Sequence, residues 1–286
     1  MNLLLPEYSK IQQQVKTSLS EDVGSGDVTA RLVDPNQRVT AEIICRTDAT
    51  LSGCGWVDEV FKQVDQDSTI HWNCADSETV KANTILCTID GKAQSILTAE
   101  RTALNFLQTL SATATLTRQY VDAVSATRCK ILDTRKTIPG LREAQKYAVR
   151  CGGGNNHRIG LYDMVLIKEN HIHAAGSIRL AVEQSLKLNP GIPVEVEVET
   201  LNELEQALDC TIERILLDNM SVETMTQAVK MAQGKIPLEA SGGIDFADVK
   251  TVAQTGVDYI SVGALTKNIN AIDLSLRLTG THLINP

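Results

Sequence analysis

Apolar positions recur along this chain with two different periods, and the change from one grammar to the other divides it. Tyr8 to Leu19 reads as an amphipathic helix, because side chains three and four positions apart share a helical face. Glu21 to Thr29 is rich in Gly, Ser and Asp and predicts a loop. Val39 to Cys45, Thr69 to Trp72 and Thr84 to Ile89 predict strands with turn signals between them, while Trp56 to Val64 predicts a helix. Ala93 to Ala126 has almost no breaker and keeps Leu97, Leu104, Leu107, Leu110 and Ala114 at helical spacing. A long helix, broken near Ser111, is expected there.

Beyond Arg128 short apolar runs alternate with helical stretches, the pattern of a parallel β/α architecture. Each run ends in residues that carry chemistry. Ile131-Leu132 leads into Asp133-Thr134-Arg135-Lys136, and Val165-Leu166-Ile167 into Lys168. Val194 to Val198 carries Glu195 and Glu197 with Glu199 following, and Ile215-Leu216-Leu217 ends in Asp218. Leu238 to Ala240 ends in Ser241-Gly242-Gly243, and Tyr259 to Val262 in Gly263. Functional residue types at successive strand ends are how a β/α barrel builds its active face. Six repeats instead of eight predict an incomplete or irregular barrel. A doubly wound nucleotide-binding sheet is disfavoured, since neither G-x-G-x-x-G after a first strand nor G-x-x-x-x-G-K-[ST] occurs.

Composition narrows the function. The 286 residues carry a formal charge of −8, which makes nucleic acid a poor partner for the whole protein. No apolar run reaches the roughly 18 residues of a membrane span, and the N-terminus lacks a secretory pattern, so a soluble, cytoplasmic protein is expected. Seven cysteines without a C-x-x-C pair argue against a disulfide framework or a zinc site. Against this acidic background, residues 128–168 hold nine Lys or Arg and three acids. Such a reversal, set among glycines and a proline, marks a folded anion pocket. Arg135, Lys136, Arg158 and Lys168 stand on loops of one face, and like charges gather where an anion offsets them; Arg128, Lys130, Arg142, Lys146 and Arg150 are expected on solvated faces.

The bland reading of each candidate differs in strength. Gly-Gly after a strand is often only a tight turn, but Ser241-Gly242-Gly243 and Gly263 lie on consecutive strands where barrels bind phosphate, which favours a phosphate site. Glu197 and Asp218 end consecutive strands and could converge on Mg²⁺. The alternation Glu195, Glu197, Glu199 also fits a strand with one wet face, and the pattern does not choose among the three. His171 and His173 read as structural, and Cys151 as inert. Arg101 has no acid three or four positions away on its helix, which weakens an ordinary intrahelical pairing.

Glu21-Asp22-x-Gly24-x-Gly26-Asp27-x-Thr29, Glu100-Arg101-Thr102-Ala103-Leu104-Asn105, Asp133-Thr134-Arg135-Lys136-Thr137, Asn156-His157-Arg158-x-Gly160-Leu161, Leu166-Ile167-Lys168-x-Asn170-His171, Leu217-Asp218-Asn219 and Glu239-Ala240-Ser241-Gly242-Gly243-Ile244 together resemble quinolinate phosphoribosyltransferase, a type II phosphoribosyltransferase, nearly end to end. The resemblance implies an α/β fold with an N-terminal α/β open-faced sandwich at 1–110, an incomplete β/α barrel at 111–269, and a C-terminal segment, 270–286, packed back on the first domain. It implies Mg²⁺-dependent transfer of phosphoribosyl from phosphoribosyl pyrophosphate to quinolinate, giving nicotinate mononucleotide, pyrophosphate and CO₂ in NAD biosynthesis. By resemblance, Arg135, His157, Arg158 and Lys168 hold the dicarboxylate, and Lys136 and Lys168 contact phosphoribosyl pyrophosphate. Glu197 and Asp218 surround Mg²⁺ and the ribose, while Ser241, Gly242, Gly243 and Gly263 bind phosphate. Arg101 matches an arginine donated across a homodimer interface. The rivals are a nicotinate-preferring or molybdenum-transport relative on the same fold, and a non-catalytic binder of pyridine dicarboxylates or nucleotides.

Overall fold

The computed structural model describes residues 3–282, which form two compact units. Unit 1 takes the chain through Arg118, then Ile138–Gly153 and the segment from Asn268 onward; unit 2 takes Gln119–Thr137 and Gly154–Lys267. Among the described residues no helix is long and apolar enough to cross a membrane.

Unit 1 opens with helix α1 (Tyr8–Val23). It runs three residues into the predicted loop and ends at Gly24, φ +53°, a conformation that suits a residue without Cβ. Strands β1 (Arg38–Cys45) and β2 (Ala49–Thr50), helix α2 (Cys54–Val64), strands β3 (Thr69–Trp72), β4 (Thr79–Val80) and β5 (Thr84–Lys92), and helix α3 (Ala93–Ala123) follow. β1 lies between β5 and a final strand, Leu274–His282, antiparallel to both, and β3 pairs on the far side of β5. That final strand went unread in the sequence, although Leu274, Leu276 and Leu278 alternate with Ser275, Arg277 and Thr279 at the strand period. Val39, Ala41 and Ile43 of β1 and Ile89 of β5 are fully buried with Trp56 and Val60 of α2 and Leu104 and Leu107 of α3. Helices thus cover one face of the sheet, and each Val, Leu or Ile among these side chains contributes about 1.5–3 kcal/mol by leaving water.

α3 is not broken at Ser111. The Ser111 hydroxyl donates to the Ser52 carbonyl at 3.1 Å and accepts from the Ser52 N–H at 3.0 Å. Its buried polarity is therefore matched by the neighbouring segment and leaves the helix continuous. Helix α4 (Arg142–Cys151) corrects a second expectation: Lys146 is 1% exposed, and Arg142 and Arg150 are half-buried, whereas Arg128 and Lys130 are exposed as expected. Most of α4 is buried, so charged residues four apart on it cannot all reach water. Arg150 instead donates to the Leu4 carbonyl at 2.8 Å. Cys151 is fully buried, and burial pushes its thiol up, away from the reactive thiolate.

Unit 2 is an all-parallel sheet of β6 (Lys130–Leu132), β7 (Val165–Ile167), β8 (Val194–Val198), β9 (Arg214–Asp218), β10 (Leu238–Ser241) and β11 (Tyr259–Ser261), in the spatial order β6-β11-β10-β9-β8-β7. Helices α5 (Glu169–Ala175), α6 (Ile178–Leu188), α7 (Leu201–Leu208), α8 (Val222–Ala232), α9 (Val249–Gln254) and α10 (Ala264–Lys267) separate or follow the strands. β6 and β7 are the two ends of the sheet, so the barrel has six strands and is incomplete. Beside β6, Asn155 makes a further parallel rung, its N–H on the Ile131 carbonyl at 2.8 Å and its carbonyl accepting from Asp133 at 3.1 Å. Val194, Val196 and Val198 of β8 are buried on one face, which leaves the alternate glutamates on the other.

Candidate active site

A cavity of about 540 Å³ opens within unit 2, lined by Thr134, Arg135, Lys136, His157, Arg158, Lys168, Glu197, Asp218, Asn219, Glu239, Ser241, Gly242 and Gly243 among others. Eleven of the twelve candidate residues lie in unit 2, ten of them on this lining; Arg101 belongs to unit 1. The exception within unit 2 is Gly263, and its place explains the glycine. A Cβ there would stand 3.1 Å from Lys136 Cδ and 3.9 Å from its Nζ, so the missing side chain leaves room for the lysine. Thr266 anchors the same lysine from below, donating its hydroxyl to the Lys136 carbonyl at 2.8 Å.

The cationic wall depends on a residue that sequence reasoning quoted without a role. Asp133, at the end of β6, is fully buried. Its carboxylate accepts from Asn156 Nδ2 at 2.5 Å and from the His157 N–H at 2.9 Å, fastening the loop that carries His157 and Arg158 to the segment after β6 that carries Arg135 and Lys136. An aspartate directly before Thr-Arg-Lys, among so many cations, was the available signal. Arg158 donates to the Met164 carbonyl at 3.3 Å. Burial, and after it the charge of Arg135, presses the Arg158 guanidinium below its ordinary range, though an arginine stays charged. Like charges are thus held together here, which an anion would relieve.

The opposite wall is acidic, and depth separates the three glutamates of the β8 region. Glu195 is fully buried, Glu197 is 12% exposed in its side chain and lines the cavity, and Glu199 is exposed beyond the strand. Glu197 pairs with Lys168. Repulsion from Glu169, ahead of weaker burial and of Glu203, Asp218 and Glu197, raises the Glu199 carboxyl. Asp218 Oδ2 accepts from Asn219 Nδ2 at 2.7 Å. Glu197 and Asp218 offer two partly exposed carboxylates on adjacent strands, a donor set that suits a hard cation keeping water and substrate oxygens as its other ligands.

Gly242 and Gly243 both have positive φ, +102° and +61°. A Cβ on Gly242 would stand 2.8 Å from the Asn219 N and closer still to its Oδ1, whereas one on Gly243 would meet open space. Successive residues of this kind form a turn whose N–H groups can converge on an anion. His171 has a structural place, its Nδ1 accepting the Lys168 N–H at 3.0 Å at the start of α5, while His173 is exposed. Arg101 is exposed on α3 with no hydrogen bond or ion pair among the described residues, and its charge acts on its neighbour Glu100.

At the bottom of this cavity the lining residues His157 and Glu239 meet the buried Glu195, and Arg214 Nη1 stands 2.6 Å from Glu239 Oε2. Arg214 offsets the buried charge of Glu239, whereas neither carboxylate oxygen of Glu195 accepts a hydrogen bond among the described residues, although His157 Nε2 lies 2.9 Å from Oε2.

Comparison with known proteins agrees with this geometry. The chain matches the model of the quinolinate phosphoribosyl transferase N-terminal domain over residues 27–111 and that of the C-terminal domain over residues 113–277. It is 39% identical over 279 residues to a probable nicotinate-nucleotide pyrophosphorylase [carboxylating] of Synechocystis, covering 96% of this chain and 94% of the relative. A Bacillus subtilis protein of the same description is 37% identical over 260 residues, covering 91% and 90%. The solved nicotinate-nucleotide pyrophosphorylase of Francisella tularensis superposes with a TM-score of 0.95 at 48% identity, covering 98% of this chain and 99% of that one.

Proposed function

The chain belongs to the quinolinate phosphoribosyltransferase family, and on that premise we propose that it transfers phosphoribosyl from phosphoribosyl pyrophosphate to quinolinate with loss of CO₂, as a step of NAD biosynthesis. One observation carries this reading: a single cavity has Arg135, Lys136, Arg158 and Lys168 on one side and Glu197 and Asp218 on the other. The cations suit two anionic substrates, and the acids suit the positive charge that develops between them.

Arg135, Arg158 and Lys168 hold the two carboxylates of quinolinate, arginine being suited to carboxylate by its planar fork. Lys136 faces the pyrophosphate, with Ser241 and the Gly242-Gly243 turn on a phosphate and Gly263 giving the lysine its room. As the C1–oxygen bond of the ribose breaks, Glu197 and Asp218 stabilise the oxocarbenium-like centre while Lys136 and Lys168 offset charge growing on the leaving group. The pyridine nitrogen then bonds to C1. Its positive charge lets the ring accept the electron pair left when the adjacent carboxylate departs as CO₂, and a proton takes that place. The acids would also hold Mg²⁺, which when bound would neutralise pyrophosphate charge. Positioning and electrostatics suffice, and no side-chain nucleophile is required.

Arg101, exposed and without an ion pair among the described residues, is assigned to the site of a second copy, which makes a homodimer the smallest complete assembly. Seven free thiols suit a reducing compartment such as the cytoplasm. The test is incubation of the purified protein with phosphoribosyl pyrophosphate, Mg²⁺ and either quinolinate or nicotinate, following nucleotide and CO₂. Quinolinate-dependent release of CO₂ with mononucleotide is expected; equal turnover of nicotinate, or none of quinolinate, overturns the reading.

A further inference from the structure

Ser77, Asn83, Asn219 and Gln233 are the residues other than glycine that take positive φ among the described residues, and only Asn219 of these lines the cavity. It follows Asp218 at the end of β9 with φ +52°, in the left-handed region that asparagine tolerates better than most residues. Its backbone N–H donates to the Ser241 carbonyl at 3.0 Å, which carries the pairing of β9 with β10 one step past Asp218. Glycine would take this conformation without strain, so the backbone alone does not account for an amide here. The side chain has contacts of its own. Nδ2 donates to Asp218 Oδ2 at 2.7 Å, and a Cβ on Gly242 would stand 2.7 Å from Asn219 Cγ and closer still to Oδ1.

The two acids of the cavity are thus held in different ways. Glu197 pairs with the ammonium of Lys168, which steadies the carboxylate and also offsets its charge. Asp218 forms no ion pair among the described residues, and the donor on its Oδ2 is a neutral amide, which fixes one oxygen and leaves the negative charge in place. We infer that Asn219 is a positioning residue for phosphoribosyl transfer: its amide holds Asp218 by Oδ2, so that Oδ1 keeps its charge, already oriented, for the ribose carbon that becomes positive. A charge fixed in advance needs no reorganisation when the bond to the leaving group breaks. The same side chain fills the space beside Gly242, so the acid and the phosphate turn meet at this one residue. The inference deepens the quinolinate phosphoribosyltransferase reading and rests on Asp218 acting in the chemistry.

Two substitutions keep the backbone and change the amide. Asn219→Gly takes the same φ without strain and has no donor, while Asn219→Asp keeps the length and the tolerance of positive φ but sets an acceptor where the donor stood. A positioning amide predicts that Asn219→Gly lowers kcat about ten- to a hundredfold and Asn219→Asp at least as much, with the quinolinate KM within about twofold of the wild type in both. A residue that serves only the turn predicts wild-type kcat in both variants; that result, or a loss confined to the KM for phosphoribosyl pyrophosphate, overturns the inference. A double-mutant cycle keeps the test decisive where a variant is also less stable. If the amide acts through Asp218, adding Asn219→Gly to Asp218→Asn should lower kcat by less than about twofold further, and a further loss of about tenfold overturns the inference. An Asp218→Asn variant with wild-type kcat would instead overturn the reading of Asp218 itself, whatever Asn219→Gly shows.

Discussion

The floor and the mouth of the unit 2 barrel draw on the same strands, with floor and mouth residues two apart on β8 and four apart on β9, and treat charge in opposite ways. At the floor, Glu195, Glu239, Arg214 and His157 are buried or nearly so and meet one another. At the mouth, Glu197, Lys168 and Asp218 keep partial exposure, and Arg135, Arg158 and Lys136 line open space. Buried charges must be matched inside the protein because water no longer solvates them. Charges at the mouth can wait for a ligand, since water serves until it arrives. One strand period thus supplies both a structural acid and a functional one, and the depth of each residue in the barrel decides which it becomes.

That contrast predicts opposite separations of stability from turnover. Glu239→Ala leaves Arg214 buried beside an empty place and should cost about 3–5 kcal/mol of unit 2 stability, measured by urea denaturation. A loss under about 1 kcal/mol would mean that the floor is solvated after all. Glu197→Gln should leave the denaturation midpoint nearly in place and lower kcat by about 10²–10³-fold, the scale of losing one group that stabilises developing charge. A folded variant with wild-type kcat would remove Glu197 from the chemistry. Arg158→Ala should weaken quinolinate binding by about 1.5–3 kcal/mol, as for a charge-assisted contact, read by calorimetry with quinolinate alone. Unchanged affinity would place the clamp elsewhere at the mouth.

The mouth was the more legible of the two regions. Arg135-Lys136, Lys168, Asp218 and Ser241-Gly242-Gly243 fall at strand ends, and a parallel β/α unit carries its strand ends to one face whatever the remaining sequence does. Glu195 and Glu197 were indistinguishable because they share the parity of one strand; only the stagger of neighbouring strands, which lays Glu195 against Arg214 and Glu197 against Leu216, assigns their depths. The floor depends on contacts between residues far apart in the chain, His157 with Glu195 and Arg214 with Glu239, and periodicity carries no record of these. Lys146 was misread for a related reason. A lysine four positions from two arginines looks like part of a solvated stripe, until a helix has most of its surface covered. In unit 1 the apolar alternation of β1 and the stripe of α3 gave the core directly, because there the hydrophobic pattern and the burial are the same fact.

The smallest effect tests whether the floor is as closed as its contacts imply. Burial, reinforced by Glu195, pushes the Glu239 carboxyl up to about 7 against the pull of His157 and Arg214. For His157, burial works downward but Glu195 and Glu239 outweigh it, and its net direction is also upward. The groups facing Glu239 are Glu195 from β8, Arg214 from β9, and His157 from the loop beside β6. A carboxyl whose folded value lies above its unfolded one binds more protons when folded. Its stabilising contribution is complete below the unfolded value and is lost as the pH rises through the folded one. Between about pH 6 and pH 8 the wild-type protein should therefore lose roughly 1 kcal/mol of stability through Glu239. Glu239→Gln keeps the shape and a hydrogen-bonding group but removes the titration, and should flatten that slope in denaturation curves taken across the range. An identical slope in the two proteins would mean that Glu239 titrates in contact with water, and that the floor is open.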